Sequence, residues 1–274
     1  MRPAPAHPSM AASLTRARET TDPREARGHP DQRLVSVLSP HSFEADQYRV
    51  LRQFLDAARA ARPLKVVAVT SAAAGDGKTT TAVNLAVTLA QSPGARVLLV
   101  DADLRRPLVA RTIGLDETAS GLVEGAMSER ADLESMVRST PYNVNVVTAG
   151  QPPPNAYQVL ESPRVAQLLD QARDAYDYVL LDTPPVLLVP DCKLMARWVD
   201  GFLLVVSAHR TPRKLLAETL NALEPDTVLG IVFNRDDRPL SGYYRQYYGR
   251  SYHAQAAAQR SGWWPRRAGR REPR

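Results

Sequence analysis

A single cysteine, Cys192, leaves the chain unable to form an intrachain disulfide, which suits a reducing cytosol. Histidine is scarce too: the five present are scattered at no metal-ligand spacing. Long apolar runs are missing. None approaches the roughly 18 residues of a membrane span, and the N-terminus has no hydrophobic leader segment, so a soluble chain is expected unless a partner holds it at a membrane. Large apolar residues are almost absent before Leu34, in a stretch rich in Pro, Arg, Ala and Ser. Residues 1–33 are therefore expected to be a disordered arm.

Basic charge is also missing where a nucleic-acid-binding core would need it. Residues 1–40 carry 6 basic and 4 acidic side chains, residues 235–274 carry 10 and 3, and residues 41–234 hold 19 against 22. The net charge of +6 thus comes from the ends, which argues against nucleic acid as the partner of the core.

What is present is organised around Lys65 to Thr80. Val66 to Val69 is a β-branched apolar run that reads as a buried parallel strand. A loop of small residues follows, then Gly77-Lys78-Thr79, then apolar residues at helical spacing from Ala82 to Ala90. Strand, small-residue loop, Gly-Lys-Thr and helix make a phosphate-binding P-loop. Gly75 and Gly77 let backbone N–H groups approach phosphate oxygens, and the helix N-terminus adds partial positive charge. The cradle is expected to comprise Ala74, Gly75, Asp76, Gly77, Lys78, Thr79 and Thr80, with Lys78 on the β- and γ-phosphates and Thr79 on Mg²⁺. Ala72 stands where the pattern has its first glycine, the smallest possible departure.

Two further apolar strands end in carboxylates. Arg96 to Val100 leads to Asp101-Ala102-Asp103, and Tyr178 to Leu181 leads to Asp182. Strand ends are where α/β sheets bind ligands, so Asp101, Asp103 and Asp182 are candidates for the metal shell and for taking a proton. The second strand has the form of a Walker B element. Further strands are expected at Val144 to Thr148, Gly201 to Ser207 and Leu229 to Phe233. Helices are expected at Phe43 to Ala61 (Ser42 as N-cap), Ser162 to Ala175 and Pro212 to Leu223. Leu34 to Leu38 reads as a short extended segment docked on the body. The alternation predicts an α/β fold of the P-loop NTPase type, a mostly parallel sheet with helices on both faces, over residues 34–235.

On the first helix Asp46, Arg49 and Arg52 share a face; spacing alone reads as a solvated face with ion pairs three residues apart. Beyond the core, residues 236–274 read as a flexible tail rich in tyrosine and arginine. Tyr243, Tyr244, Tyr247, Tyr248 and Tyr252 are five of the ten tyrosines of the protein. Taken alone, such a tail fits stacking on single-stranded nucleic acid or lying on anionic lipid.

Together these residues resemble the bacterial tyrosine kinases of capsule and exopolysaccharide export, in their cytoplasmic form, from about Leu34 to Tyr252. The family's Walker A falls on Ala72 to Thr79, its second Asp-rich element on Val97 to Arg105, and its Walker B on Val179 to Asp182. Val179 to Pro185 followed by Asp191 is similar to the family's wording, as is Gly150 to Asn155, although Ala156 stands where the family often has proline. The resemblance implies an ATP- and Mg²⁺-dependent autokinase. Lys78 and Thr79 would hold phosphates and metal, Asp103 and Asp182 would complete the metal environment, Asp101 would be the base, and Asn234 would contact adenine. It implies tyrosines 243, 244, 247, 248 and 252 as acceptors, in trans within a ring. Asp46, Arg49 and Arg52 would build that ring as the family's Glu-x-x-Arg-x-x-Arg helix, with Asp for Glu. It also implies a membrane-embedded chain-length regulator as activator, and a cytoplasmic protein held at the inner membrane through it. Two rivals remain at this point: a partitioning or positioning ATPase switch without kinase activity, against which Ala73 replaces the second P-loop lysine of such proteins, and a non-catalytic nucleotide-binding regulator.

Overall fold

Val66–Ser71 (β1) is buried at every position, as a strand must be when helices cover both of its faces. The computed structural model describes residues 29–236; residues 1–28 of the arm and the tail tyrosines lie outside the described residues. The other strands are Val97–Asp101 (β2), Arg138–Ser139 (β3), Asn145–Val147 (β4), Tyr178–Asp182 (β5), Gly201–Ser207 (β6) and Val228–Asn234 (β7). They form one sheet in the order β3-β4-β2-β5-β1-β6-β7. Every pairing is parallel except the short β3–β4 contact.

The helices are Val35–Leu38 (α1), Phe43–Ala61 (α2), Lys78–Ala90 (α3), Val109–Ile113 (α4), Leu122–Met127 (α5), Leu133–Met136 (α6), Ala156–Glu161 (α7), Pro163–Ala175 (α8), Asp191–Met195 (α9) and Arg213–Asn221 (α10). Alternate side chains of each central strand feed two cores. Val67, Val69, Val97 and Leu99 pack with Leu55, Leu85, Leu89 and Ile113 on the α1–α4 side. Val66, Ala68, Leu98 and Val100 pack with Leu122, Leu160 and Leu168 on the α5–α9 side. Among the described residues no helix is long and apolar enough to cross a membrane.

The expected helix starts hold. Ser42 accepts from Ala45 N, and Ser162 accepts from Arg164 N with Pro163 at the first helical position. One expectation fails: Leu34 to Leu38 is not extended but enters the helical turn α1. Tertiary contacts override the β preference of Val35 and Val37. Leu34 is fully buried, Ser36 N donates to Asn84 Oδ1, and Ser36 Oγ meets Thr88 Oγ1. The strand expected at Val144 to Thr148 is shorter, the helix expected at Pro212 to Leu223 runs from Arg213 to Asn221, and β3 and α7 were not foreseen.

The strand that carries the P-loop is fastened at its start. Asp200 Oδ2 accepts from Lys65 N and Val66 N, both at 2.7 Å, and from Arg173 Nη1 of α8 at 2.9 Å. Asp200→Ala strands two backbone donors and a guanidinium, and should lower stability by about 1–3 kcal/mol. Urea unfolding reads this directly; an unchanged midpoint would show that water replaces the carboxylate without loss.

Candidate active site

The loop after β1 turns on two glycines in the left-handed region, Gly75 at φ 87° and Gly77 at φ 100°, where a side chain would be strained. At Gly77 space is also short, since a Cβ would stand 1.9 Å from Asn234 Nδ2. The loop is latched from its far side. Asp76 Oδ2 accepts from Ala73 N at 2.8 Å, Asp76 Oδ1 accepts from Thr211 Oγ1 at 2.8 Å, and Asn234 Nδ2 donates to the Asp76 carbonyl at 2.9 Å. Ala74 and Gly75 are left exposed at the tip, and α3 begins at Lys78, its first N–H groups free of intrahelical partners.

Strand order brings the carboxylates to this loop. β5 lies between β1 and β2, with Asp182 in register beside both Val69 and Asp101. Lys78 Nζ reaches Asp103 Oδ2 at 2.7 Å and stands 3.9 Å from Asp182 Oδ1. Thr79 Oγ1 donates to Asp182 Oδ2 at 2.6 Å. Lys78, Thr79, Asp103 and Asp182 are thus brought together, all of them buried. Asp101 is adjacent but set back. Its Oδ2 accepts from Leu108 N and Val109 N at 3.0 and 2.9 Å, and its Oδ1 accepts from Asp103 N at 3.2 Å.

Crowding fixes the ionisation. Burial and the neighbouring Asp182 and Asp103 raise Asp101 well above the ordinary carboxylate range, against the pull of the Val109 N–H and Lys78. Burial pushes Asp182 up to about 6, only partly offset by Lys78 and the Thr79 hydroxyl. Lys78 is raised: burial works against its charge, but Asp182, Asp103 and Asp101 outweigh it.

The donor set suits Mg²⁺. Asp182 Oδ1 is buried without a hydrogen-bond partner. Among the described residues no three carboxylate, histidine or cysteine side chains form a ready cage. Mg²⁺ needs none, because it keeps waters and takes one or two carboxylates together with substrate phosphates. Thr79, Asp182 and Asp103 offer that kind of partial shell.

In front of Lys78 and Asp103 a cleft of about 380 Å³ opens between the loops after β2 and β5. Its walls include Leu108, Pro184, Pro185, Leu188 and Val189, with Arg105 and Arg106 beside them. Arg105 crosses between the two loops to the fully buried Asp191, Nε to Oδ2 at 2.9 Å and Nη2 to Oδ1 at 3.1 Å. Sequence reasoning gave no role to Arg105 or Arg106, although two adjacent arginines one residue beyond Asp103 were a visible signal. Thr211 carried no such signal. Cys192, which burial pushes up to about 11, donates to the Pro184 carbonyl and helps to fix that wall.

On α2, Arg49 pairs with Asp46 and donates to the Pro40 carbonyl. Arg52 faces Asp56 at 3.9 Å and the Thr88 carbonyl at 3.4 Å. These contacts all lie within one chain.

A family model described as an AAA domain matches residues 64–198. The tyrosine-protein kinase YwqD of Bacillus subtilis (strain 168) is 37% identical over 214 residues, 77% of this chain and 90% of that one. The succinoglycan biosynthesis transport protein ExoP of Rhizobium meliloti (strain 1021) is 33% identical over 228 residues, 80% of this chain but 29% of that protein. Among solved structures, the kinase domain of the Escherichia coli tyrosine kinase ETK is similar with a TM-score of 0.71 at 28% identity, over 86% of this chain and 90% of that one.

The raised Asp182 has a measurable consequence. The folded chain holds this proton more tightly than the unfolded chain does, with a pKa of about 6 against 3.8. Its contribution to stability is therefore fully present below 3.8 and is lost as pH rises through 6. Asp182→Asn removes the titration. Without nucleotide, the variant should gain on wild type by on the order of 2–3 kcal/mol between about pH 4 and pH 7. Urea midpoints at each pH give the difference; a constant gap would mean that Asp182 ionises at its ordinary value.

Proposed function

The chain belongs to the bacterial tyrosine kinases of capsule and exopolysaccharide biosynthesis, and on that premise we propose that it uses ATP to phosphorylate its own C-terminal tyrosines and thereby regulates polysaccharide synthesis and export. The observation that carries this reading is the meeting of Lys78, Thr79, Asp103 and Asp182 at the head of an apolar-walled cleft.

Phosphoryl transfer asks for positioning and charge neutralisation rather than covalent help from the protein. The loop from Ala74 to Thr80 would cradle the phosphates, with Lys78 leaving Asp103 to meet them and Asn234 bordering the base. Thr79, Asp103 and Asp182 would hold Mg²⁺, which when bound offsets the negative charge on the transferring group. The acceptor tyrosine Oη forms a bond to the γ-phosphorus, ADP departs with the electrons of the bridging bond, and the hydroxyl proton goes to a carboxylate. Asp103 lines the cleft and would meet that hydroxyl first. The base role that the family resemblance gives to Asp101 requires its contacts with Leu108 N and Val109 N to open. Leu108, Pro184 and Leu188 would seat the phenol ring and exclude water.

The same reading includes a homo-oligomeric ring through α2, with Asp46, Arg49 and Arg52 exchanging their intrachain partners for a neighbour's. It also includes a cytoplasmic location at the inner membrane through a membrane-embedded regulator. The kinase-like segment being 29% of ExoP, a transport protein, supports such a partnership. A nucleotide switch without kinase activity fits less well: Ala73 takes the place of its second lysine, and two of the relatives above, YwqD and ETK, are named tyrosine kinases.

The test uses radiolabelled ATP. Lys78→Met should lower tyrosine labelling at least about a hundredfold. A chain ending at Ser241 should lose its own label yet label the Lys78→Met chain in trans. Equal tyrosine labelling of wild type, Lys78→Met and the truncated chain would end the proposal.

A further inference from the structure

Arg106 stands at the mouth of the cleft with no partner for its charge among the described residues. Only its backbone is engaged, N to Asp103 Oδ1 at 3.1 Å. Its neighbour Arg105 is committed to Asp191, whereas the exposed Arg106 guanidinium meets no carboxylate or carbonyl among the described residues. Beside it Leu108 is 44% exposed and Leu188 63% exposed. Apolar walls, a Lys78–Asp103 pair at the head and a free guanidinium at the rim suit an aromatic residue whose flanking residue is anionic.

The tail supplies the aromatic residue but not the anion. Four of its five tyrosines come as adjacent pairs, Tyr243-Tyr244 and Tyr247-Tyr248, and no Asp or Glu lies between Asp237 and Glu272. Arg245 and Arg250 are the nearby charges, and like charge would oppose their approach to Arg106. Phosphorylating one tyrosine of a pair adds about −1.5 to −2 charge. Arginine recognises phosphate through parallel charge-assisted hydrogen bonds. Neighbouring Cα atoms are about 3.8 Å apart, so a phosphate next to the acceptor would lie at the rim while the acceptor ring fills the cleft.

Building on the autokinase reading, we infer that Arg106 selects acceptor tyrosines whose neighbour is already phosphorylated, so that the tail is modified pair by pair. The first phosphate on a pair is slow because it is added against like charge. The second is fast because the first has created the ligand that Arg106 lacks. Arg106 is thus a specificity residue of the acceptor site, separate from the groups that hold ATP.

The test compares two peptides spanning residues 241–252, one unmodified and one with phosphotyrosine at position 244, as substrates of the full chain. Mass spectrometry follows phosphate arriving on Tyr243. Wild type should show kcat/KM at least about tenfold higher for the phosphopeptide. Arg106→Ala should bring the ratio to about one, and Arg106→Lys, which keeps charge but not the planar fork, should fall between. A wild-type ratio at or below one overturns the inference. So does an undiminished ratio in Arg106→Ala, including an equal loss on both peptides, which would assign Arg106 to nucleotide binding. If neither peptide is phosphorylated while other tyrosines of the chain are labelled, the tail is not the substrate, and the autokinase reading fails before Arg106 is reached.

Discussion

One ammonium group, Lys78, faces three buried carboxylates, and the rest of the site follows from that imbalance. A single cation cannot neutralise Asp101, Asp103 and Asp182 together. The fold compensates by holding protons, pushing Asp182 up to about 6 and Asp101 well above its ordinary range. Buried like charges at this density work against stability, so packing elsewhere must supply the difference. The fully buried strands β1, β2, β5 and β6 do so. A divalent cation would relieve the same surplus. Electrostatic strain in the resting chain and affinity for Mg²⁺ therefore have one cause.

Topology turns this chemistry into geometry. Because β5 is inserted between β1 and β2 and all three run parallel, their carboxyl ends reach one edge. The phosphate loop and the carboxylates then face each other across neighbouring strands. The loop itself is held by distant chain: Thr211 follows β6, Asn234 ends β7, and both fasten Asp76. Residues more than a hundred positions away thus set the shape of a loop whose own sequence is nearly all small residues.

The parts that could be read from the sequence are those with a local signature. The P-loop, the strand ends carrying Asp101, Asp103 and Asp182, and the Ser42 and Ser162 caps each follow from a short pattern of residue types. What could not be read depends on non-local pairing or on very short elements. β3 has two residues, too few for any period to register. α7 starts at Ala156 on the Asn155 cap, directly after a proline run that masks it. α1 is helical because Leu34 and Ser36 pack on α3, although Val35 and Val37 favour a strand. The Arg105–Asp191 pair joins residues 86 positions apart, and nothing in either local segment announces the other.

A loop that holds phosphate does not by itself make a kinase, since water competes with any acceptor. Here the walls of the cleft bear on that competition. Pro184 and Pro185 have no N–H to offer a water molecule, and the Pro184 carbonyl is occupied by Thr70 Oγ1 and Cys192 Sγ. Leu108 is set in place by the bond from its N–H to Asp101, and the two loops are tied together by Arg105 and Asp191. Asp101 thus does two things at once: it crowds Asp182 and Asp103 behind the phosphate site and fixes the hydrophobic wall in front of it. Moving that carboxyl group would disturb both the electrostatic balance around Lys78 and the shape that admits a phenol ring. The two functions cannot be tuned independently at this position.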